Sequence, residues 1–248
     1  MSEIVYGLHA VQSVLKHQGD SVVQLFHDKR RRDERLSKLL QQAQQLGIDV
    51  QAVSKTTLEQ KSSSDRHQGI VIVVEQNQKQ QSLEELLDAL DTNDEAPLLL
   101  ILDSITDPHN LGACLRTADA AGAHAVIYPK DKSAGINATV RKVACGAAEV
   151  IPCYPVTNLA RCMEQLQQRG IWIVGAAGEA KQEFYQMDLS GSMALVMGAE
   201  GKGLRRLTRE HCDYLAKLPM AGEVSSLNVS VATGVCLFEI VRQRHIRQ

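Results

Sequence analysis

Continuous apolar runs and helically spaced apolar residues alternate along residues 97–248. The first run, Leu98–Asp103, is almost wholly apolar, which is typical of a strand that a parallel sheet buries on both faces. The alternation predicts an α/β domain with a mainly parallel sheet and helices on both faces. The other predicted strands are Ala125–Tyr128, Val150–Cys153, Ile171–Val174, Ala194–Met197 and Tyr214–Leu218, and the predicted helices are Leu111–Ala121, Ala138–Cys145, Leu159–Arg169 and Val229–Arg242.

The first 75 residues predict a smaller α/β module. Apolar residues recur at helical spacing from Leu36 to Leu46, and Gly47 is placed to end that helix. Short β-rich runs surround it at Val22–Phe26, Ile48–Val53 and Ile70–Val74. We therefore expect an N-terminal domain over residues 1–75.

Residues 76–96 separate the two regions. Residues 76–82, QNQKQQS, are polar and lack a period, which indicates a linker. Ser82 and Glu85 form a capping-box pattern ahead of the helical run Leu83–Leu90, and the pattern breaks before Pro97. The sequence predicts a linker with a short acidic helix over 76–96, followed by a second domain over 97–248.

Composition narrows the class of protein. The 248 residues are 44% hydrophobic and 23% charged, and no apolar run approaches the roughly 20 residues of a membrane-spanning helix. The chain starts without a cationic and then apolar leader, and its six cysteines form no CxxC pair. Neither a secretory signal nor a disulfide or zinc framework is favoured. We expect a cytoplasmic protein with no membrane segment and no bound metal.

The formal net charge of −2 is unevenly distributed. Residues 76–96 hold one lysine and six acidic residues, so the flanking regions keep a small positive excess. Lys29–Arg32, Arg35 and Lys38 form a basic cluster. Two interpretations of the cluster stay open. It is either a solvated loop and helix start, diluted by nearby carboxylates, or a patch that contacts RNA phosphates.

Three loops at predicted strand ends are candidates for function, because ligands of open parallel sheets bind at the carboxyl ends of the strands. The first loop leads from Asp103 to Arg116. Asp107-Pro108 starts a turn, and Asn110 suits the N-cap of the following helix. Arg116 lies within that short helix, where an arginine needs a solvated face, a carboxylate or a bound phosphate.

The second loop carries Gly198, Gly201 and Gly203 between a buried strand and a helix. Glycines let the backbone approach a ligand closely, and Glu200 among them favours a functional loop over a purely structural tight turn. The loop matches neither GxxxxGK(S/T) nor GxGxxG. A P-loop NTPase and a nucleotide-dependent oxidoreductase are therefore both disfavoured.

The third loop follows Leu218 and opens a helix with Ser225, Ser226 and Asn228. Helix capping accounts for one such polar residue and not for three so close together. GxSxG is absent, so Ser226 is not a hydrolase nucleophile. The joint presence of the three loops is more specific than any one of them.

In order and spacing, the three loops resemble the three motifs of the SpoU (TrmH-type) branch of the SPOUT methyltransferases. Residues 97–248 resemble the catalytic domain, and residues 1–75 resemble the substrate-binding domain of the ribosomal members. The resemblance implies a trefoil-knotted fold and a homodimer with each active site near the subunit interface. Apolar residues of the last helix suit either such packing or burial within the chain: Val231, Ala232, Val235, Cys236 and Ile240.

The resemblance also implies a reaction, methyl transfer from S-adenosylmethionine (AdoMet) to a ribose 2′-hydroxyl, with no metal. The ribosomal members imply a guanosine in the peptidyl-transferase P loop of 23S rRNA as the target. The implied cofactor-binding residues are Gly198, Leu218 and Leu227, with Met197, Gly203 and Met220 as neighbours. RNA contacts are expected from Arg30, Arg31, Arg32 and Lys38, and near the site from Lys130, Lys132, Arg141, Lys142, Arg205 and Arg206.

The implied catalytic residues are Asn110, Arg116, Glu200, Ser226 and Asn228. Because a guanidinium stays protonated near neutral pH, we interpret Arg116 as a cation that anchors the target phosphate and stabilises the developing 2′-alkoxide. The two asparagines would orient Arg116 and the ribose, and Glu200 and Ser226 would shape the loops.

Two alternatives remain. The first is a tRNA guanosine 2′-O-methyltransferase, which the separate N-terminal module disfavours because tRNA-specific relatives usually have a much smaller N-terminal extension. The second is a non-catalytic RNA-binding factor of ribosome assembly. The intact Asn110, Arg116, Glu200 and Asn228 argue against it, since binding alone does not require them.

Overall fold

The chain folds into two compact units. In a computed structural model, residues 2–75, 81–199 and 201–247 are described, so part of the predicted linker (76–80) and Glu200 lie outside the described residues. The first unit is Met1–Gln80 with Arg141–Val150, and the second is Gln81–Val140 with Ile151–Gln248. The segment Arg141–Val150, which the sequence pattern placed in the second domain, clusters with the first unit.

The first unit contains a four-stranded mixed sheet. Its strand order is β1-β4-β2-β3, in which β4 runs antiparallel to β1 and β2 while β2 and β3 are parallel. Apolar side chains from the sheet and from two helices, including Val11, Leu25, Leu36 and Ile70, form its core. The elements are β1 (Ser2–Tyr6), α1 (Leu8–His17), β2 (Val22–Asp28), α2 (Glu34–Gln45), β3 (Asp49–Val53), α3 (Lys55–Ser62) and β4 (Ile70–Glu75).

Local signals place the helix α2 as predicted. The Asp33 side chain accepts a hydrogen bond from the Leu36 backbone N–H and so begins the helix. At the other end Gly47 adopts φ +72°, the left-handed conformation that glycine tolerates best. The three predicted strands of this region are confirmed, with ends that differ by two residues or fewer.

The second unit contains a seven-stranded sheet in which every strand pairing is parallel. The strand order is β7-β6-β5-β10-β8-β11-β9, and the predicted mainly parallel α/β fold is confirmed. The elements are α4 (Leu83–Thr92), β5 (Leu98–Asp103), α5 (Pro108–Ala120), β6 (Ala125–Pro129), α6 (Ala138–Ala144, which runs on into the first unit), β7 (Cys153–Val156), α7 (Leu159–Gln168), β8 (Trp172–Ala176), β9 (Gln182–Glu183), β10 (Met193–Gly198), α8 (Arg206–Glu210), β11 (Tyr214–Lys217) and α9 (Val229–Arg247).

The burial of strand β5 agrees with its apolar sequence. All six residues of β5 are buried, as the continuous apolar run predicts for a strand covered on both faces.

The predicted capping box is also present at the start of α4, because the Ser82 side chain accepts from Glu85 N–H while the Glu85 side chain accepts from Ser82 N–H. Among the described helices, none is both long and apolar enough to cross a membrane.

One predicted strand is misplaced. The apolar run Val150–Cys153 predicted a strand, but β7 begins only at Cys153, where it pairs with Val126. Gly146 at φ +100° is followed by a 3-10 turn over Ala147–Glu149, so the preceding apolar residues lie in the approach to the sheet. The threading of a knot stays a prediction from the family resemblance.

Candidate active site

A cavity of about 680 Å³ opens at the carboxyl edge of the second unit's sheet. It lies where β8, β10 and β11 end, as expected for an open parallel sheet. All six residues predicted to bind the cofactor line it: Met197, Gly198, Gly203, Leu218, Met220 and Leu227. Ser226 and Asn228, both predicted to be catalytic, also line it. The structure therefore brings the second and third loops to one site.

The second loop folds back sharply on itself. Gly203 N–H donates to Ala199 O at 2.8 Å, and Gly201 and Gly203 adopt positive φ values of +72° and +62°. A Cβ placed on Gly198 would overlap the backbone of Gly203 and Leu204. The second loop is thus a tight turn, and the same backbone forms one wall of the cavity. Its functional interpretation stays a prediction.

The first and third loops meet through two asparagines. Asn228 Nδ2 donates to Asn110 Oδ1 at 2.9 Å. The oxygen of the same Asn228 amide accepts from Ser230 N–H at 2.9 Å and from Ser230 Oγ at 2.6 Å, which begins α9. Asn228 therefore uses both ends of its amide, one to start the helix and one to hold Asn110.

The predicted N-cap role of Asn110 is wrong. Asp107 caps α5 by accepting from His109 N–H at 2.9 Å, and Pro108 occupies the first helical position, where its missing N–H is harmless. Asn110 lies inside the first turn of α5. Its side chain is thus released from capping and accepts the hydrogen bond from Asn228.

Arg116 lies on α5 with an exposed side chain. Its helix packs against α9, with Cys114 Sγ 3.6 Å from Thr233 Oγ1. A Cβ on Gly234 of α9 would be 3.5 Å from Thr117 Cγ2, so the two helices approach closely. The helix that carries Arg116 is therefore packed directly against α9, the helix that the third loop opens. Glu200 lies outside the described residues, and its predicted role stays a prediction.

Sequence reasoning missed one wall of the cavity. The last residue of β8, Ala176, and the three residues that follow it line the cavity together with Arg209 from α8. Glu179 and Arg209 form an ion pair there. The signal was available, because β8 also ends in a loop at the carboxyl edge and that loop contains Gly178 and Glu179.

Neither Cys212 nor Cys236 supplies a nucleophile. Burial raises the pKa of the Cys212 thiol and that of the Cys236 thiol to about 12 each. Because the thiolate is the reactive form, both remain protonated near neutral pH. Among the described residues, no three or more His, Cys, Asp and Glu side chains are grouped to hold a metal ion.

The predicted RNA-contacting residues differ in how far they are engaged within the protein. Arg30 and Arg32 are exposed in the first unit, while Arg31 pairs with Asp33 and donates to Gln68 O. Lys38, also exposed, pairs with Glu34 at 2.7 Å. Of these four residues, Arg30 and Arg32 are thus the best placed for phosphate.

Elsewhere, Lys130 is exposed, whereas the Arg141 side chain is only 15% exposed and pairs with buried Glu149. For Arg141 this geometry favours an internal ion pair over the expected contact with RNA.

Two family models match the chain. The SpoU rRNA Methylase family matches residues 97–238, a span that includes all three loops. The chain belongs to the SpoU rRNA methylase family. The family membership predicted from the loops is thereby confirmed. Residues 4–80 match a second family, described as RNA 2′-O ribose methyltransferase substrate binding.

Similar proteins are known in sequence and in structure. A Pseudomonas aeruginosa protein named 23S rRNA (guanosine-2′-O-)-methyltransferase RlmB is 61% identical over 98% of this SpoU chain and 97% of its own. The crystal structure of the SpoU methyltransferase AviRb from Streptomyces viridochromogenes, in complex with AdoMet, has a TM-score of 0.81 at 26% identity and covers 99% of this chain and 91% of its own. The A. aeolicus TrmH/SpoU tRNA modifying enzyme has a TM-score of 0.57 at 29% identity, covering 65% of this chain and 85% of its own.

Proposed function

We propose that this SpoU chain transfers a methyl group from AdoMet to the ribose 2′-hydroxyl of a guanosine in 23S rRNA. The cavity at the sheet edge carries the proposal, because two loops from different strands form it and a third loop joins it through the Asn110–Asn228 hydrogen bond. The name of the P. aeruginosa relative supports the substrate, and the AdoMet complex of AviRb supports the cofactor.

The cavity fits AdoMet. Its volume of about 680 Å³ lies within the range of small-molecule sites. Met197, Leu218 and Leu227 provide apolar surface for an adenine, and the close backbone at Gly198 leaves peptide groups at the cavity wall. When bound, AdoMet supplies a methyl group that its sulfonium has already activated.

The protein's own part in the reaction is positioning and charge stabilisation. Asn228 holds Asn110, and we infer that this pair orients the ribose beside the cavity. We infer that the guanidinium of Arg116 anchors the target phosphate through its planar fork and stabilises the ribose oxygen as negative charge develops on it. The hydroxyl proton leaves to water or to the phosphate. Glu200 and Ser226 shape the two loops.

The presence of the first unit argues for ribosomal RNA, and against tRNA, as the substrate. The A. aeolicus tRNA modifying enzyme covers only 65% of this chain, whereas the P. aeruginosa relative named for 23S rRNA covers 98%. Residues 4–80 also match a substrate-binding family. We propose that the first unit binds rRNA with Arg30 and Arg32 and that the target guanosine lies in the peptidyl-transferase P loop.

We further propose that the protein acts as a homodimer in which a second copy covers the outer face of α9. Val231 and Phe238, seven residues apart and thus on one face of the helix, are 52% and 50% exposed. Cys236 and Ile240 are instead buried within the chain itself. Sedimentation should show a dimer for the wild type and monomers for V231D/F238D. Dimers of the double variant would remove this face from the proposal.

Incorporation of tritium from labelled AdoMet tests the activity. Three substrates are offered in parallel: naked 23S rRNA, large-subunit particles and tRNA. We expect incorporation into a 23S-containing substrate and recovery of the label as 2′-O-methylguanosine from the P loop. Label in tRNA alone would favour the tRNA enzyme, and RNA binding without label would favour an assembly factor.

A further inference from the structure

Asp103 lies at the junction of the first and second loops. It is the last residue of β5 and is fully buried. Its neighbour in register on β10 is Gly198, where the second loop, called the glycine loop from here on, starts. The following residue, Ser104, adopts φ +65° and starts the first loop. A carboxyl group is therefore buried at the point from which both loops leave the sheet.

Both oxygens of Asp103 bind the far end of the glycine loop. Oδ2 accepts from Arg205 N–H at 2.8 Å, and Oδ1 accepts from Arg205 Nε at 2.5 Å. Oδ1 also accepts from Ser104 Oγ at 3.1 Å. A buried carboxyl is stable only when such partners compensate its lost hydration. These contacts thus tie residue 205 and residue 104 to the end of β5.

Within the described part of the glycine loop, the returning arm, residues 203–205, is also held by a hydrogen bond inside the loop and by apolar packing. Gly203 N–H bonds to Ala199 O within the loop, and Leu204 packs into the core. The packing of Leu204 anchors the arm but does not fix the path of the backbone, since apolar contacts are not directional. The two hydrogen bonds from Arg205 to Asp103 are directional, and they fix the path of the backbone.

We propose that Asp103 is a positioning residue that holds the glycine loop in its cavity-forming path through Arg205. Because the same carboxyl group also accepts from Ser104, Asp103 keeps the start of the first loop in register with the glycine loop. The inference rests on the proposed function, since it assigns the loop's path to AdoMet binding. Arg205, expected from sequence to approach RNA, has its Nε committed to this internal contact.

The substitution Asp103→Asn tests the proposal, with Glu210→Gln as its matched control. Both change an acid that pairs with an arginine into its amide, but Glu210 pairs with Arg206 on the surface, at 2.7 Å. We expect D103N to raise the KM for AdoMet about tenfold, the equivalent of one charged hydrogen bond, and to leave the KM for RNA nearly unchanged. E210Q should change neither constant by more than about twofold.

Hydrogen exchange provides a readout that does not depend on activity. The Arg205 amide donates directly to Asp103, so its exchange in the unliganded protein should accelerate in D103N and not in E210Q. Unchanged protection of this amide in a folded D103N would overturn the inference. If the wild type binds no AdoMet, the proposed function fails, while the exchange experiment still decides the role of Asp103.

A second variant covers the case in which D103N does not fold. Arg205→Lys keeps the positive charge and the backbone N–H but lacks the Nε donor. We expect a smaller rise in the KM for AdoMet than in D103N, with RNA kinetics close to the wild type. Where D103N does fold, the effects of D103N and R205K should not add in the double variant, because they act on one contact. Full additivity, or an R205K protein with wild-type constants, would contradict the proposal.

Discussion

Asn228 and Asn110, separated by 118 residues of chain, share a hydrogen bond of 2.9 Å from Nδ2 to Oδ1. The bond joins the first turn of α5 to the residue that immediately precedes α9, and therefore joins two of the three loops. Because Asn228 Oδ1 is engaged by Ser230, the orientation of the amide is fixed and its nitrogen faces Asn110. This relationship gives a direct test of the site.

Asn228→Asp should lower methylation more than Asn110→Asp. In N228D one carboxylate oxygen still accepts from Ser230 and caps α9. The other carboxylate oxygen replaces the Nδ2 donor, so two acceptors, one on each residue, face each other. In N110D the acceptor at position 110 survives. We expect kcat/KM for RNA to fall about tenfold to a hundredfold in N228D, the range for a polar group left unpaired once RNA covers it. Steady-state methylation measures both, and wild-type activity of N228D would contradict the positioning role.

The substitution Gly198→Ala should impair AdoMet binding far more than Gly201→Ala. A Cβ at 198 would overlap the backbone of the returning arm, whereas a Cβ at 201 meets nothing within 4 Å. Overpacking of about 1–3 kcal/mol predicts a loss of roughly tenfold to a hundredfold in AdoMet affinity for G198A.

The matched variant G201A carries only the backbone cost of its positive φ, roughly 1–2 kcal/mol, and should mainly lose stability. Calorimetric titration with AdoMet and thermal melting separate the two effects. Equal AdoMet affinity in both variants would show that the close approach at Gly198 is not needed for the cofactor.

Arg116→Lys should lose most methylation while AdoMet binding is retained. The substitution keeps the positive charge but removes the planar fork that anchors a phosphate at two points. We expect single-turnover methylation to fall by about a hundredfold or more, with AdoMet affinity within about twofold of the wild type. Near-normal single-turnover rates would show that charge alone suffices.

The basic patch of the first unit should act through phosphate and thus depend on salt. R30E/R32E reverses the two exposed arginines and leaves Arg31 in its pair with Asp33. The slope of log affinity against log salt concentration should become shallower by about 1 for each phosphate that the variant no longer neutralises. Lys55→Glu, at an exposed residue outside the patch, is the control. An unchanged slope for R30E/R32E would exclude the patch from RNA binding.

Local signals in the sequence are enough for many of the elements. The bounds of β5 follow from its apolar run, because a fully buried strand needs no polar face. Ser82 with Glu85, and Gly47, mark helix ends correctly because caps depend on adjacent residues. The first unit is predicted less completely. Its helix α1 is missing from the prediction, although apolar residues such as Val11 and Leu15 have helical spacing.

What local patterns cannot supply is spatial order. The position of β10 between β5 and β8 results from a long-range crossover, and periodicity does not reveal which strands are neighbours. The contact of Asn228 with Asn110 and that of Arg205 with Asp103 follow from this order. The cap of α5 shows the opposite error, since Asp107-Pro108 carries the correct local signal and the prediction assigned the cap to Asn110.

A crystal structure of the chain with AdoMet would show whether the cavity between the second and third loops holds the cofactor. We expect the adenine between Met197–Gly198 and Leu218–Leu227, with the methyl group directed towards Asn228 and Arg116. AdoMet bound elsewhere on the chain, or a cavity that stays filled by its own side chains at saturating AdoMet, would exclude this cavity as the cofactor site.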